Sequence, residues 1–288
     1  MNHFFGSNSA VRTLAALLPI VSSSAFPSAF SSAFSSAALA TEVTVFETDF
    51  ESGSVPAQFS ANLPSALTPV QSYAGLGRDG YRFGGSFYRH RTATLVTLTL
   101  TDLPPHDELD LDFLFAAIDS LDGTGTFPAG DFFRVTLDGV EVFRESFANA
   151  TPVQYQSYVS APGVELARRI DLGFAGPGSY YTDSAYDMSL EPRFQNLAHT
   201  ASNATFTFII EGVGTQDLGD ESWAFDNIRV IARSVGNPAD LDGDGAVGAA
   251  DLSLLLAAWG STKPNPADLD GDGTVGASDL SLLLVNWT

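Results

Sequence analysis

Across residues 42–235, apolar and polar positions alternate in short runs separated by Gly, Pro, Asp and Asn. A period of two sends successive side chains to opposite faces, so the pattern predicts antiparallel strands joined by turns. In the run 95–101, Val96, Leu98 and Leu100 would face a core while Thr97, Thr99 and Thr101 face water. Leu109, Leu111 and Phe113 repeat the alternation against Glu108, Asp110 and Asp112, read here as a solvent face. Phe133, Val135 and Leu137 lead into Asp138-Gly139, a favoured hairpin pair, with residues 140–147 as the return strand. Residues 205–210 and 223–231 supply two more strands, and no helical period is sustained anywhere in the stretch. The expected fold is mainly β, a jelly-roll-like antiparallel β-sandwich over residues 42–235.

The pattern changes after a short linker at residues 236–239. Residues 240–260 read DLDGDGAVGAADLSLLLAAWG and residues 268–288 read DLDGDGTVGASDLSLLLVNWT, identical at 16 of 21 positions with an offset of 28. Such a duplication is one structural unit used twice. A twelve-residue calcium loop takes oxygens from positions 1, 3 and 5, a backbone carbonyl at 7, a water at 9 and a carboxylate at 12. The first copy offers Asp240, Asp242, Asp244, the carbonyl of Ala246, Gly248 and Asp251; the second offers Asp268, Asp270, Asp272, the carbonyl of Thr274, Gly276 and Asp279. Gly245 and Gly273 stand at position 6, where the chain turns sharply. Val247 and Val275 at position 8 are placed to pair across the two loops. The expectation is a small all-α module, residues 240–288, holding two Ca2+ ions. The Leu-rich helices, Leu252, Leu254, Leu255, Leu256 and Trp259 with their counterparts Leu280, Leu282, Leu283, Leu284 and Trp287, are read as its mini-core before a partner surface, with room for a few of them to serve as both.

These duplicated loops, with Asp251 and Asp279 at position 12 and a Leu-rich helix after each, resemble the type I dockerin family. The resemblance implies a module that folds on binding calcium and plugs into a cohesin-like partner, joining proteins of polysaccharide degradation to a scaffold or cell surface. Positions 10 and 11, partner-contact residues in that family and often Ser-Thr there, are Ala249 and Ala250 in one copy and Ala277 and Ser278 in the other. The departure leaves a cohesin or another surface protein as the implied partner.

Charge sharpens the picture. Thirteen Lys and Arg against 34 Asp and Glu give a formal charge of −21, which repels phosphate backbones and argues against a nucleic-acid partner. Eight Asp and one Lys fall in residues 236–288, a crowding that a bound cation would relieve. Cysteine is absent, which excludes disulfides, thiolate metal sites and Cys nucleophiles. Residues 1–40 carry a single charge, Arg12, then an apolar run interrupted by Pro19, then a Ser/Ala/Phe stretch ending Ala38-Leu39-Ala40. That order reads as a signal peptide, too short in its apolar run for the roughly 20 residues of a membrane span. A protein secreted by a bacterium, or held at its surface, is expected.

The sandwich offers weaker chemical cues. Asp49-Phe50-Glu51-Ser52-Gly53 and Trp223-Ala224-Phe225-Asp226-Asn227-Ile228 resemble the first and last strands of MAM and concanavalin-like jelly rolls, which implies neighbouring terminal strands and a structural cation near Glu51 and Asp226. Asp119, Asp122 and Asp131 flank a Gly-rich loop and invite the same reading. The eight tyrosines form two sequence patches, Tyr73, Tyr81 and Tyr88, then Tyr155, Tyr158, Tyr180, Tyr181 and Tyr186. Rings on loops suit the apolar face of a sugar, and equally the packing of long loops onto a core. Glu108, Asp110 and Asp112 share one strand face as acids of jelly-roll glucanases do, the enzymatic alternative to a binding domain. Neither H-E-x-x-H nor G-x-S-x-G occurs, and Gly75-Leu76-Gly77-Arg78-Asp79-Gly80 lacks the strand-to-helix setting of a nucleotide loop and reads as a turn. A non-catalytic sandwich that binds glycan or a surface ligand is the leading expectation, a purely structural surface protein a third.

Overall fold

The computed structural model describes residues 41–124, 130–174, 182–234 and 236–288. The expected signal peptide at 1–40, and Tyr180 and Tyr181, lie outside the described residues. The strands are β1 (Thr41–Thr48), β2 (Phe59–Ala61), β3 (Ala66–Pro69), β4 (Gly77–Arg78), β5 (Tyr81–Arg82), β6 (Ser86–Arg91), β7 (Val96–Leu100) and β8 (Glu108–Asp119). They continue with β9 (Phe132–Leu137), β10 (Val140–Ser146), β11 (Glu165–Ile170), β12 (Asp183–Asp187), β13 (Leu197–Ala198), β14 (Ala204–Glu211) and β15 (Glu221–Ser234).

Two antiparallel sheets carry the fold. The larger runs β11-β12-β8-β15-β6-β3, with β1 paired to the second half of β15 and β13 to the start of β8; the smaller runs β10-β9-β14-β7-β2. Alternating residues of the facing strands meet between them: Val96 and Leu98 of β7, Phe206 and Phe208 of β14, Phe113 and Phe115 of β8, Trp223 and Phe225 of β15. The core is unusually aromatic, with Phe115 stacked on Phe133 at 4.3 Å between centroids. The Asp138-Gly139 turn joins β9 to β10, and residues 75–80 form the turn and first strand of the β4–β5 hairpin, as the sequence predicts.

Strand β8 departs from the expected half-exposed strand, because nearly all of it is buried. Its second face carries Leu114, Ala116 and Ile118, which a further apolar layer of Val70, Tyr73, Phe83, Phe87 and Leu172 covers. Asp110 and Asp112 on that face are buried too, not solvent-facing. Arg233 of β15 pairs with Asp110, and Arg229 of β15 lies 2.5 Å from Asp112. The backbone N–H of Asn196 donates to Asp110 and the Gln195 amide to Asp112. A buried carboxylate persists when charge-assisted donors replace its water, and these two are fully engaged in holding β8 to β15.

The C-terminal module has helices α1 (Ala249–Ala257) and α2 (Ala277–Val285). Its core consists of Ala239, Val247, Leu255 and their equivalents Ala267, Val275 and Leu283. The Leu-rich runs are therefore only partly a mini-core: Leu254, Leu256, Trp259, Leu282, Leu284 and Trp287 are exposed. Nine residues per helix make two and a half turns, too few to bury five large side chains each on one face. Ala239, expected in the linker, belongs to this core, and the repeat begins earlier, at Asn237-Pro238-Ala239 and Asn265-Pro266-Ala267. In both copies the Asn side chain accepts the N–H of the Ala two residues on, and its carbonyl accepts that of the first loop Asp.

Candidate metal centres

Each loop of the module folds its acids back on its own backbone. Gly245 and Gly273, both at φ +90°, make the sharp turn at position 6, a conformation that L side chains rarely adopt. Asp240 accepts the N–H groups of Gly243 (2.8 Å) and Gly245 (2.9 Å), and Asp268 accepts that of Gly273 at 3.0 Å. Asp251 and Asp279, at the third residue of their helices, each accept two loop N–H groups on one oxygen, Leu241 and Asp242 or Leu269 and Asp270, and that of Gly248 or Gly276 on the other. One carboxylate thereby fixes the start of the helix to the start of the loop.

The loop closes so that Asp240, Asp242 and Asp251 bring carboxylate oxygens within 4.8 Å of one another, as do Asp268, Asp270 and Asp279. Asp244 and Asp272 stand exposed beside these triads, each accepting the N–H of Ala246 or Thr274. The donor set is all hard oxygen at calcium-loop spacing, and Oδ1 of Asp268 is buried without a hydrogen-bond partner, so the residues fit a calcium ion. Burial alone would push Asp251 up, but the N–H groups of Gly248, Asp242 and Leu241 hold it below the usual carboxylate range. Asp242 accepts the N–H of Asp244, yet desolvation and the carboxylates of Asp244, Asp251 and Asp240 leave it raised on balance. Asp270 is lowered, first by the Ser278 hydroxyl and then by the N–H of Asp272. Ser278 thus serves its own loop, where the first copy has Ala250.

The two halves brace one another. The N–H of Val275 donates to the carbonyl of Ser261 while its own carbonyl accepts the N–H of Gly260; the N–H of Val247 donates to the Thr288 hydroxyl and its carbonyl accepts the N–H of Thr288. The position-8 valines accordingly share a core through their side chains, but their backbones pair with the residues after the opposite helix rather than with each other, which corrects the expected pairing. Ala249, Ala250, Ala277 and Ser278 are exposed at the helix starts.

In the sandwich, Glu51 and Asp226 meet on one backbone segment. Glu51 accepts the N–H groups of Gly85 (2.5 Å) and Ser86 (2.9 Å), and Asp226 accepts those of Gly84 (2.9 Å) and Asn227 (2.7 Å). These bonds engage both oxygens of Asp226 and Oε1 of Glu51, so the pair clamps this backbone segment. Burial pushes Asp226 up to about 7, with the charges of Glu51 and Asp49 adding to the rise against the N–H bonds of Gly84 and Asn227. Among the described residues, the sandwich acids that converge at metal-ligand spacing are Asp122, Asp131 and Glu221. Asp119, grouped with two of them by sequence, instead faces Arg89 at 3.6 Å. Glu221 opens β15 some 90 residues from Asp131, so its membership has no local sequence signal.

The tyrosines divide sharply. Tyr73, Tyr81, Tyr88, Tyr158 and Tyr186 are buried, and the packing alternative describes them, correcting their reading as ligand platforms. Tyr158 donates to Glu191, and Tyr73 to the carbonyl of Ala117, so their hydroxyls are used inside the protein. Tyr155 is 69% exposed and lines a cleft of about 310 Å³ with Gln156, Val159, Glu165, Arg168 and Arg169.

The paired loop-helix units define the C-terminal segment as a duplicated calcium-loop module. More narrowly, residues 238–285 match the family model for the type I dockerin domain. No curated protein matches the chain. Among solved structures the chain is similar to the CBM22-2 xylan-binding domain of Xyn10C from Paenibacillus barcinonensis (12% identity, 65% of this chain and 99% of that one, TM-score 0.30). It is also similar to a family 35 carbohydrate binding module from Clostridium thermocellum (11% identity, 67% and 98% covered, TM-score 0.27). A third likeness is to the K1 cleaved adhesin domain of Lys-gingipain from Porphyromonas gingivalis (11% identity, 67% and 97% covered, TM-score 0.31).

Proposed function

We propose that this chain is an exported, non-catalytic binding protein whose dockerin module holds two calcium ions and docks onto a cohesin-like partner. The observation that carries the reading is the duplicated acid triad, Asp240, Asp242 and Asp251 with Asp268, Asp270 and Asp279, in the segment that matches the dockerin model. Calcium would supply the positive charge that lets these carboxylates lie together, while Asp251 and Asp279 tie each helix to its loop. The docking surface in this reading is the exposed helix-start residues Ala249 and Ala250 with Leu254, one turn on from Ala250, and their repeat equivalents Ala277, Ser278 and Leu282. An exposed apolar surface rimmed by small residues suits a protein partner. No helix among the described residues is long and apolar enough to cross a membrane.

The sandwich, in the same reading, binds glycan at the cleft beside Tyr155. An exposed ring offers area to a sugar face at low entropy cost, and Arg168, Glu165 and Gln156 offer donors and acceptors to hydroxyls. A hydrolase acting through Asp110 and Asp112 is disfavoured by their arginine pairing, which holds both as buried carboxylates in the wall between β8 and β15. The test of the docking reading is calorimetric titration of the full chain with Ca2+, followed by a pull-down against a purified cohesin with and without chelator. Two ions in the module and chelator-sensitive capture support it; no calcium uptake by the module at millimolar concentration removes it.

A further inference from the structure

Asp122, just after β8, Asp131, just before β9, and Glu221, at the start of β15, form an acidic cluster that the dockerin reading does not use. Asp122, Asp131 and Glu221 each offer a carboxylate oxygen within 4.8 Å of the others. Asp131 and Glu221 are both fully buried, and each leaves one oxygen, Oδ1 and Oε2, with no hydrogen-bond partner. An unpaired buried carboxylate oxygen is among the costliest groups a fold can carry, and here two stand together. The remaining oxygens are held in place: the N–H groups of Asp122 and Gly123 donate to Asp131, the Gln154 amide donates to Asp122, and the Gln216 amide lies 3.4 Å from Glu221. The charges that act on Glu221 are those of Asp131, Asp122 and Asp220, all negative, so no arginine relieves it as Arg233 and Arg229 relieve Asp110 and Asp112.

We infer that Asp122, Asp131 and Glu221 form a third cation site, within the sandwich, built for a hard divalent ion of calcium type. Three converging carboxylates, two of them with a buried unpartnered oxygen, and no nitrogen or sulfur ligand among them match the chemistry of Ca2+ rather than that of a transition metal. The site joins three separate pieces of chain, the end of β8, the start of β9 and the start of β15. It also reaches the Tyr155 cleft. Asp122 holds Gln154, and Thr124 exchanges backbone hydrogen bonds with Tyr155 at 2.6 and 3.2 Å. Gly123, at φ +65°, lets these segments approach, since a Cβ there would lie 2.4 Å from the Tyr155 carbonyl oxygen. An ion at this point would fix the segment that carries the exposed ring.

The experiment counts calcium in the full chain with both dockerin loops disabled by Asp240→Ala and Asp268→Ala, so that it succeeds or fails independently of the docking reading. Equilibrium dialysis against 45Ca2+ at pH 7 should find one ion per chain, with a dissociation constant of about 0.1–1 mM, the range of extracellular modules. Adding Glu221→Gln should abolish that uptake, and the sandwich melting transition of the double variant should rise by about 3 °C or more with calcium. If Glu221→Gln fails to fold, Asp122→Asn, on the half-buried member of the set, replaces it and should weaken binding at least tenfold. A folded double variant that takes up no calcium at 10 mM overturns the inference. So does uptake untouched by either third substitution, or a Glu221→Gln protein that is stabilised while calcium has no effect, which would mean that a proton neutralises the cluster.

Discussion

The acids of this protein are governed by what lies within a few ångströms of each, and three environments give three behaviours. In the module, Asp251 is kept ionised by three backbone N–H groups. Asp251→Ala should leave the first loop without its tie to α1, and calorimetry should record about one calcium ion fewer per chain. On β8, Asp112 is buried against an arginine that is partly exposed. Asp112→Asn should therefore cost about 1–3 kcal/mol in denaturant unfolding, mostly by stranding Arg229. Asp226 is buried beside other acids, and its folded-state value of about 7 lies above the 3.8 of an ordinary carboxylate. A raised carboxyl favours the folded state fully at low pH, and that contribution is lost as pH rises from about 4 through about 7. Comparing urea midpoints of the parent and Asp226→Asn across that window should show the parent losing stability relative to the variant as pH rises.

At the scale of elements, legibility tracked how many faces of a segment see water. Strand β7 could be read from Val96, Leu98 and Leu100 because its other face is Thr97 and Thr99, partly or fully exposed. Strand β8 could not, because its polar-looking face is sealed by arginines more than 110 residues away and by a second apolar layer. No local pattern encodes a cover that arrives from elsewhere in the chain. The same reason separates the acid groups: Asp240, Asp242 and Asp251 lie on one twelve-residue loop, whereas Glu221 reaches Asp131 only through sheet pairing. The tyrosine patches misled because ring chemistry is identical in a core and on a surface, and only the fold tells Tyr155 from Tyr158. Truncation should follow these faces. Phe115→Ala, stacked on Phe133 between the sheets, should cost about 3–5 kcal/mol, while Thr99→Ala on the open face should stay within about 0.5 kcal/mol, both by chemical denaturation.

For the whole molecule, the aromatic core of the sandwich and the small core of the module should respond to different agents. Six small buried side chains, Ala239, Val247, Leu255 and their repeats, are a slight core for a module of this size. Chelation should therefore melt α1 and α2, seen as lost helical circular dichroism, while the near-ultraviolet signal of buried Trp223 persists. Because Val247 is clasped by Thr288 and Val275 by Gly260 and Ser261, neither loop can set without the other half in place. Holding two ions as proposed, the module would work as an AND gate for calcium, answering to a threshold rather than in proportion. In the proposed reading, the low calcium of a cell interior would leave the gate open and the docking surface unassembled, and the millimolar calcium outside would close it, so that location itself would decide when the protein can be attached.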